Sequence, residues 1–253
     1  EFDIVHGFET RPVVLIPALN MKRAGVPLIW DWADWFGQGG SVEERPNFLV
    51  RTILRPVETY FEENFRLHSS ATTVICSALK QRAIELHVDP QTIHLVPNGL
   101  DSPGWVNYDK ANARAFLGFS DDLFLVGYIG SLFPRDALLM ANAFNILSKS
   151  YPKVRLIHIG QSNYGIKKMV NAPEKVIESG QLEQNEMARY LAACDLCWLP
   201  FSNSNANNGR FPMKLSQYLA AGKPVVSTNV GDIPQYIQAN GAGKIVTDNP
   251  DEL

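Results

Sequence analysis

Short runs of apolar residues recur along the chain, and segments with helical spacing lie between them. The runs are mostly continuous, which is typical of strands covered on both faces of a parallel sheet. The pattern predicts ten strands, at Asp3–His6, Pro27–Trp30, Thr72–Cys76, Thr92–Val96, Phe124–Ile129, Val154–Ile159, Val176–Glu178, Leu196–Leu199, Pro224–Ser227 and Lys244–Val246. It predicts helices over Thr10–Lys22, Asn47–Leu67, Ser77–Leu86, Arg135–Lys149, Gln184–Ala193 and Ile233–Gln238. Strands that alternate with helices indicate βαβ units and an α/β fold.

A turn-rich stretch near residues 98–106, followed by the polar stretch Asn107–Arg114, interrupts this series. It predicts two Rossmann-like domains, residues 1–103 and 104–253, each a parallel sheet with helices on both faces. The chain begins without Met, at the edge of a strand, and ends where another helix would begin. We therefore expect a fragment whose N-terminal domain is incomplete.

A loop, a helix and a buried strand are predicted over residues 207–227. Asn208 suits a helix N-cap, Pro212 suits the first turn, and Gly222 suits the helix stop. Lys214 lies inside this helix. A helix start with free N–H groups and a nearby lysine favours bound anions. An ordinary surface helix with a solvated lysine is an equally good interpretation.

Small and polar residues follow four predicted strands of the second half, where parallel sheets bind ligands. They lie at Gly130–Ser131, Gly160–Ser162, Glu178–Leu182 and Ser202–Gly209. An arginine can contact phosphate through two N–H groups. We predict a diphosphate site formed by Arg135, Lys214, the backbone of Gly130 and Ser131, and the helix start at Asn208 and Gly209. The alternative is that these are ordinary turns.

In the first half, Asp31 and Asp34 stand among three tryptophans just after a predicted strand. Tryptophan faces suit sugar rings, and burial of a carboxylate raises its pKa towards that of a general base. His6 and Glu9 also follow a strand end. Asp31, Asp34 and His6 are therefore candidate catalytic residues. A buried aromatic cluster with capping aspartates, and a structural histidine, are the alternatives.

The composition of the chain limits the classes of partner and site that we expect. The formal net charge is −3, which does not recommend a nucleic-acid partner. The three cysteines lie in apolar runs, which indicates reduced thiols and a cytoplasmic setting. The histidines lack partners at metal-ligand spacing, so no metal site is expected. No apolar run reaches the roughly 20 residues of a membrane span.

Several motifs resemble retaining GT-B glycosyltransferases of the family 4 type. They are Val96–Asp101, Val126–Ser131, Asp195–Pro200 and Lys214–Val226. The resemblance implies transfer of a sugar from a nucleotide-diphosphate-sugar donor, without a cofactor, to a glycan or lipid-linked acceptor. It implies that Gly130, Ser131 and Arg135 lie near the diphosphate, that Lys214 contacts phosphate, and that Gln217 holds the ribose.

Two positions depart from the family pattern, since Gln217 and Gly209 stand where relatives carry two glutamates. A glutamine can hydrogen-bond a diol, but without the strength that charge adds. The loss of both acids leaves two alternatives open: a catalytically degenerate nucleotide-sugar-binding or scaffolding module, and a sugar-nucleotide epimerase. Peripheral contact with the inner face of a membrane is a further expectation, because many relatives use lipid-linked acceptors.

Overall fold

The computed structural model describes residues 2–100, 104–105, 108–161 and 164–253. The chain forms two compact units. Unit 1 comprises Glu1–Asn98 and Ser204–Phe211, and unit 2 comprises Gly99–Asn203 and Pro212–Leu253. The predicted boundary between residues 103 and 104 adjoins residues outside the described part and stays a prediction. The segment Ser204–Phe211, which the sequence assigned to the second domain, packs with unit 1.

Unit 1 is built on a four-stranded parallel sheet in the order β1-β2-β3-β4. Its strands are β1 (Val5–Phe8), β2 (Leu28–Trp32), β3 (Ala71–Val74) and β4 (Ile93–Leu95), and its first three helices are α1 (Pro12–Arg23), α2 (Phe48–Asn64) and α3 (Ser77–Glu85). Each connection advances one strand in the same direction, so right-handed crossovers place the three helices on one face. The burial of β2 agrees: Leu28, Trp30 and Trp32 are fully buried, whereas Ile29 and Asp31 are half-buried.

Unit 2 contains a six-stranded parallel sheet in the order β10-β9-β8-β5-β6-β7. The strands are β5 (Phe124–Ile129), β6 (Val154–Ile159), β7 (Val176–Glu178), β8 (Leu196–Leu199), β9 (Val225–Thr228) and β10 (Gly243–Val246). The helices of unit 2 are α4 (Lys110–Leu117), α5 (Pro134–Ser150), α6 (Gln184–Ala193), α8 (Met213–Ala220) and α9 (Ile233–Ala239); α7 (Asn205–Asn208) lies in unit 1.

The strand order of unit 2 reverses between β5 and β8. Helix α5 packs on the face that carries Val126 and Tyr128. The crossover through α8 runs the opposite way and so lies on the other face, where the Tyr218 hydroxyl accepts a hydrogen bond from the Ile129 N–H at 3.0 Å. The predicted α/β fold with two parallel sheets is confirmed. Ligands of such sheets bind beyond the carboxyl ends of the strands at the point of reversal.

Two local features differ from the sequence analysis. Helix α4 (Lys110–Leu117) was not predicted; it is capped by the Asp109 side chain and followed by Gly118 at φ +71°. Helix α8 begins after Pro212, not at Asn208. Its predicted stop is confirmed, since Gly222 follows the helix at φ +63°. In the described part of the chain, no helix combines the length and hydrophobicity that crossing a bilayer requires.

Candidate functional site

Three glycines end adjacent strands of unit 2. Gly130, Gly160 and Gly180 follow β5, β6 and β7, with φ values of +82°, +109° and +72°. The Gly130 N–H donates to the Ile159 carbonyl at 2.8 Å, and Gly160 forms an isolated bridge with Gly180. These left-handed conformations suit glycine alone at low cost. The three residues, here called the glycine shelf, expose backbone at the carboxyl edge of the sheet.

Lys214 brings a positive charge to this shelf. It lies in the first turn of α8, and its ammonium group stacks over the Tyr128 ring, 4.4 Å from the centroid. The ammonium donates to the Tyr128 hydroxyl and, at 3.0 Å, to the Ser131 carbonyl. The Tyr128 hydroxyl in turn donates to the Ser131 carbonyl at 2.8 Å. Lys214 therefore reaches from α8 across the end of β5 towards the face on which α5 packs.

His158 fixes the backbone beneath the shelf. It is fully buried on β6, opposite Tyr128 in the strand register, and its ring meets Tyr128 edge to face at 5.6 Å. Its Nε2 donates to the Gly130 carbonyl at 2.7 Å, and its buried Nδ1 has no hydrogen-bond partner among the described residues. Burial lowers the pKa of His158, and Lys214 acts in the same direction. A neutral imidazole with the proton on Nε2 results.

The other predicted donor residues of unit 2 differ in position. Ser131 is exposed at the shelf. Gln217 lies one turn after Lys214 and is half-buried. Arg135 is exposed in the first turn of α5. Helices α5 and α8 lie on opposite faces of the sheet. Arg135 and Lys214 can therefore meet only if both side chains extend past the carboxyl ends of the strands, and their convergence stays a prediction.

Asn208 and Gly209 do not open the lysine helix, so their predicted position at its start was wrong, whereas donor binding by these two residues stays a prediction. Both residues belong to unit 1. The Asn208 N–H donates to the Ser204 carbonyl and the Gly209 N–H to the Asn205 carbonyl, each at 2.8 Å. The cause is a separate short helix, α7, which the Ser204 side chain caps. Both N–H groups are therefore used within that helix.

Asp34 carries the most perturbed carboxyl group of unit 1. It accepts from the Trp35 N–H at 3.0 Å and lies 3.4 Å from Nε of Arg210. The same guanidinium donates to Glu44 at 2.9 Å, so one cation faces two carboxyl groups. Burial raises the pKa of Asp34 to about 7, and Glu44 adds to the rise while Arg210 opposes it. The predicted rise in pKa is thus found at Asp34.

A buried carboxylate supports the loop that carries Asp34. Glu62 is 2% exposed and accepts from the Trp32 indole at 3.1 Å and from the N–H groups of Phe36 and Gly37 at 2.8 and 2.7 Å. Arg82 donates to it at 3.3 Å. These donors satisfy a charge that would otherwise be costly to bury. The tryptophan-rich loop is therefore anchored to α2.

Asp31 and His6 lie elsewhere in unit 1. Asp31 is half-buried on β2 and accepts a hydrogen bond from the Thr73 hydroxyl. His6 is exposed on β1, with its ring 4.5 Å from that of Phe8. In the part of the chain that the structure describes, Asp31, His6 and Asp34 make no hydrogen bond with one another, and their catalytic roles stay predictions. Glu9, at the end of β1, has φ +68°, and burial raises the pKa of its carboxyl group.

A large apolar cavity of unit 2 is distant from this chemistry. It has a volume of about 630 Å³ and includes Phe124, Val154 and Leu196, which begin β5, β6 and β8. It therefore lies at the amino ends of the strands, whereas the shelf lies at their carboxyl ends. Its lining is mostly apolar and includes Lys153 as a charged residue.

The sheet of unit 2 is doubly wound, glycines follow its strands, and Lys214 of α8 lies beside them. This combination is typical of α/β proteins that bind phosphorylated ligands. Comparison with known proteins identifies the family within this class. Residues 124–253 match the family model "Glycosyl transferases group 1". The chain belongs to this glycosyltransferase family.

Individual relatives agree with the family match. The chain is 26% identical over 225 residues to the putative teichuronic acid biosynthesis glycosyltransferase TuaH of Bacillus subtilis, covering 85% of this chain and 53% of that protein. It is 29% identical over 175 residues to a D-inositol 3-phosphate glycosyltransferase of Segniliparus rotundus, covering 62% of this chain and 36% of that protein. The chain thus spans about half or less of the length of these relatives.

Among solved structures, HepE of Anabaena in complex with UDP and glucose has a TM-score of 0.71 at 19% identity. The alignment covers 99% of this chain and 66% of HepE. At this identity the likeness shows the fold, which agrees with the GT-B architecture expected from the motifs.

Proposed function

We propose that this chain carries the donor site of a glycosyltransferase that moves a sugar from a nucleotide-diphosphate sugar to a glycan or lipid-linked acceptor. Membership of the family supports this, as do the relatives named for glycosyl transfer and the UDP bound to HepE. The observation that carries the proposal is the Lys214 ammonium held at the glycine shelf. A fixed cation beside exposed backbone is what a diphosphate requires.

The chemistry follows from the leaving group. As the bond between the sugar and the diphosphate breaks, negative charge grows on the phosphate oxygens. A positive charge already in position lowers that barrier, because no reorganisation is needed at the moment of reaction. Tyr128 and Ser131 hold the Lys214 ammonium in place. The neutral His158 adds no second charge and instead fixes the Gly130 carbonyl. In this proposal protein groups stabilise the leaving group, and no metal takes part.

We assign proton transfer from the acceptor hydroxyl to Asp34. A general base works best when its pKa lies near the working pH, and the pKa of Asp34 is about 7. The Trp35 N–H and Arg210 orient this carboxyl group. Asp31 and His6 remain candidates for acceptor binding.

Calorimetric titration of UDP, GDP, ADP and their sugar conjugates tests the donor site. Replacing Lys214 with alanine should weaken binding of the preferred nucleotide at least about tenfold, because a charge-assisted contact to phosphate is lost. Lys149→Ala, at an exposed lysine near the end of α5, is the matched control and should bind like the wild type. Equal affinity of the Lys214 variant and the wild type would remove the basis of the proposal.

Two neutral positions favour a second function, a module that binds nucleotide sugar without transferring it. Gly209 and Gln217 supply no carboxylate at the two positions where the resemblance to the family implies glutamates, and Gly209 packs beside Trp35 in unit 1. Such a module would bind the nucleotide through Lys214 yet leave the sugar conjugate intact. Incubation with a sugar nucleotide and an acceptor extract distinguishes the two, since only the transferase consumes the donor.

A further inference from the structure

One peptide group of the glycine shelf is held from beneath by a buried side chain. The bond from His158 Nε2 to the Gly130 carbonyl, at 2.7 Å, is the one hydrogen bond that this imidazole makes in the described part of the chain. Native structures seldom keep a buried nitrogen without a partner, because removing it from water costs free energy. The bond to Gly130 therefore gives a reason for a histidine at this otherwise unfavourable position.

The backbone at Gly130 does not by itself fix the direction of the peptide group that follows it. Glycine adopts left-handed and right-handed conformations about equally readily, so this peptide group can turn over at little cost. In the structure Gly130 has φ +82°. The bond from His158 selects one of the possible directions, with the carbonyl oxygen turned towards the buried imidazole.

The consequence of this direction lies at Ser131. The peptide bond that joins it to Gly130 is trans, and the N–H of a trans peptide points opposite to its carbonyl. The Ser131 N–H therefore points away from His158. Ser131 is exposed, and no acceptor within the described ranges receives its N–H. The shelf thus presents a backbone donor that the protein itself does not use.

Lys214 acts at the same residue. Its ammonium donates to the Ser131 carbonyl at 3.0 Å, and a β-carbon added to Gly130 would lie 4.0 Å from Nζ. A cation and an unused N–H are therefore close together, which suits neighbouring oxygens of one anion. The His158 ring also meets the Tyr128 ring edge to face at 5.6 Å. His158 thus contacts both the peptide group and the tyrosine that holds the lysine.

We propose that His158 is a positioning residue of the donor site, which turns the peptide between Gly130 and Ser131 so that the Ser131 N–H donates to a diphosphate oxygen of the nucleotide. This inference rests on the proposed function and adds an uncharged donor beside Lys214. The imidazole does not touch the nucleotide, because it is buried beneath the peptide group that it holds. A neutral ring is sufficient, since only the N–H at Nε2 is used.

Calorimetric titration of three variants tests the positioning, with whichever of UDP, GDP and ADP the wild type binds most tightly. His158→Met keeps a side chain of similar size without an N–H and should bind about tenfold more weakly, because a hydrogen bond to a charged group is lost. His158→Gln places an amide N–H near the position of Nε2 and should restore most of the affinity. Val154→Ala, at the buried start of the same strand, is the control for a loosened β6 and should bind like the wild type.

The corresponding nucleoside, which lacks phosphate, separates positioning from a general structural role. Its affinity, measured by NMR titration, should be the same for the wild type and His158→Met. Equal proportional losses for the nucleoside and the diphosphate would overturn the inference. An N–H measurement on the wild type is independent of how well the variants fold: the Ser131 amide proton should move downfield on addition of pyrophosphate, and an unmoved resonance at saturation would also overturn the inference.

Failure of this inference differs from failure of the proposed function. If Lys214→Ala loses diphosphate affinity while His158→Met binds like the wild type, the positioning role is refuted and the donor site stands. If the wild type binds none of the three nucleoside diphosphates, both are refuted together.

Discussion

Replacing Asp34 with asparagine should stabilise unit 1 above neutral pH. Asparagine resembles the protonated carboxyl group in shape and does not ionise. The folded state raises the pKa of Asp34 from 3.8 to about 7. Folding therefore disfavours the charged form, and the free energy of unfolding of the wild type should fall as pH rises from about 4 to about 7. Above that range this loss is complete, and below it the loss is absent.

The size of the effect follows from the same pKa. The difference between 3.8 and about 7, at about 1.4 kcal/mol per pH unit, sets a ceiling of roughly 4 kcal/mol. The Asp34 side chain is 26% exposed, so water screens part of the cost. The variant also loses the contact between Asp34 and Arg210, which offsets a further part of the gain in stability. Arg210 remains ion-paired with Glu44. We expect the variant to gain about 2 kcal/mol at pH ~8 and little at pH ~4.

Urea unfolding at several pH values, followed by tryptophan fluorescence, measures this difference. Three tryptophans, Trp30, Trp32 and Trp35, lie in unit 1 around the Asp34 loop. Asp3→Asn, at an exposed aspartate of the same unit, is the matched control and should follow the wild-type profile. A variant whose advantage over the wild type is the same at every pH would refute the reasoning, because the carboxyl group would then not titrate in this range.

Two further predictions concern the shelf and the tryptophan-rich loop. Gly160→Ala should destabilise unit 2 by about 1–3 kcal/mol and weaken nucleotide binding, since φ +109° strains any side chain; thermal unfolding and calorimetry measure both effects, and an unchanged unfolding midpoint would contradict the first. Glu62→Gln should cost unit 1 about 2–4 kcal/mol, because an amide cannot accept from all the donors that converge on this carboxylate. Chemical unfolding tests it, and a loss below about 1 kcal/mol would show that the donors find other partners.

The sequence predicted the strands of unit 2 best. Four of them, β5 to β8, have the predicted bounds, because continuous apolar runs end sharply where the chain leaves the core. In unit 1 the observed ends of the strands differ from the predicted ends by up to two residues. Strand β2 continues through Asp31 to Trp32, since a sheet with helices on one face tolerates a polar side chain on the other. Helix α4 was missed although Asp109 and Gly118 are good start and stop signals.

The candidate site was only partly predictable. Lys214 followed from local helix signals, but its partner Tyr128 and the supporting His158 were not identified. They come together through the register of β5 and β6, which a local pattern does not contain. A signal was present, since each is a polar residue within a largely apolar strand. Asn208 was misassigned because two short helices follow each other closely, and the cap of the first, Ser204, was overlooked.

Unit 1 is assembled from two stretches of chain that lie far apart in sequence. The ion pair between Glu44 and Arg210 spans 166 residues. During synthesis, Asp34 and Glu44 cannot contact Arg210 until most of unit 2 has left the ribosome, because that arginine lies late in the sequence. A chain that ends at Asn98 therefore lacks part of unit 1. Expression of unit 1 alone should retain residues 204–211.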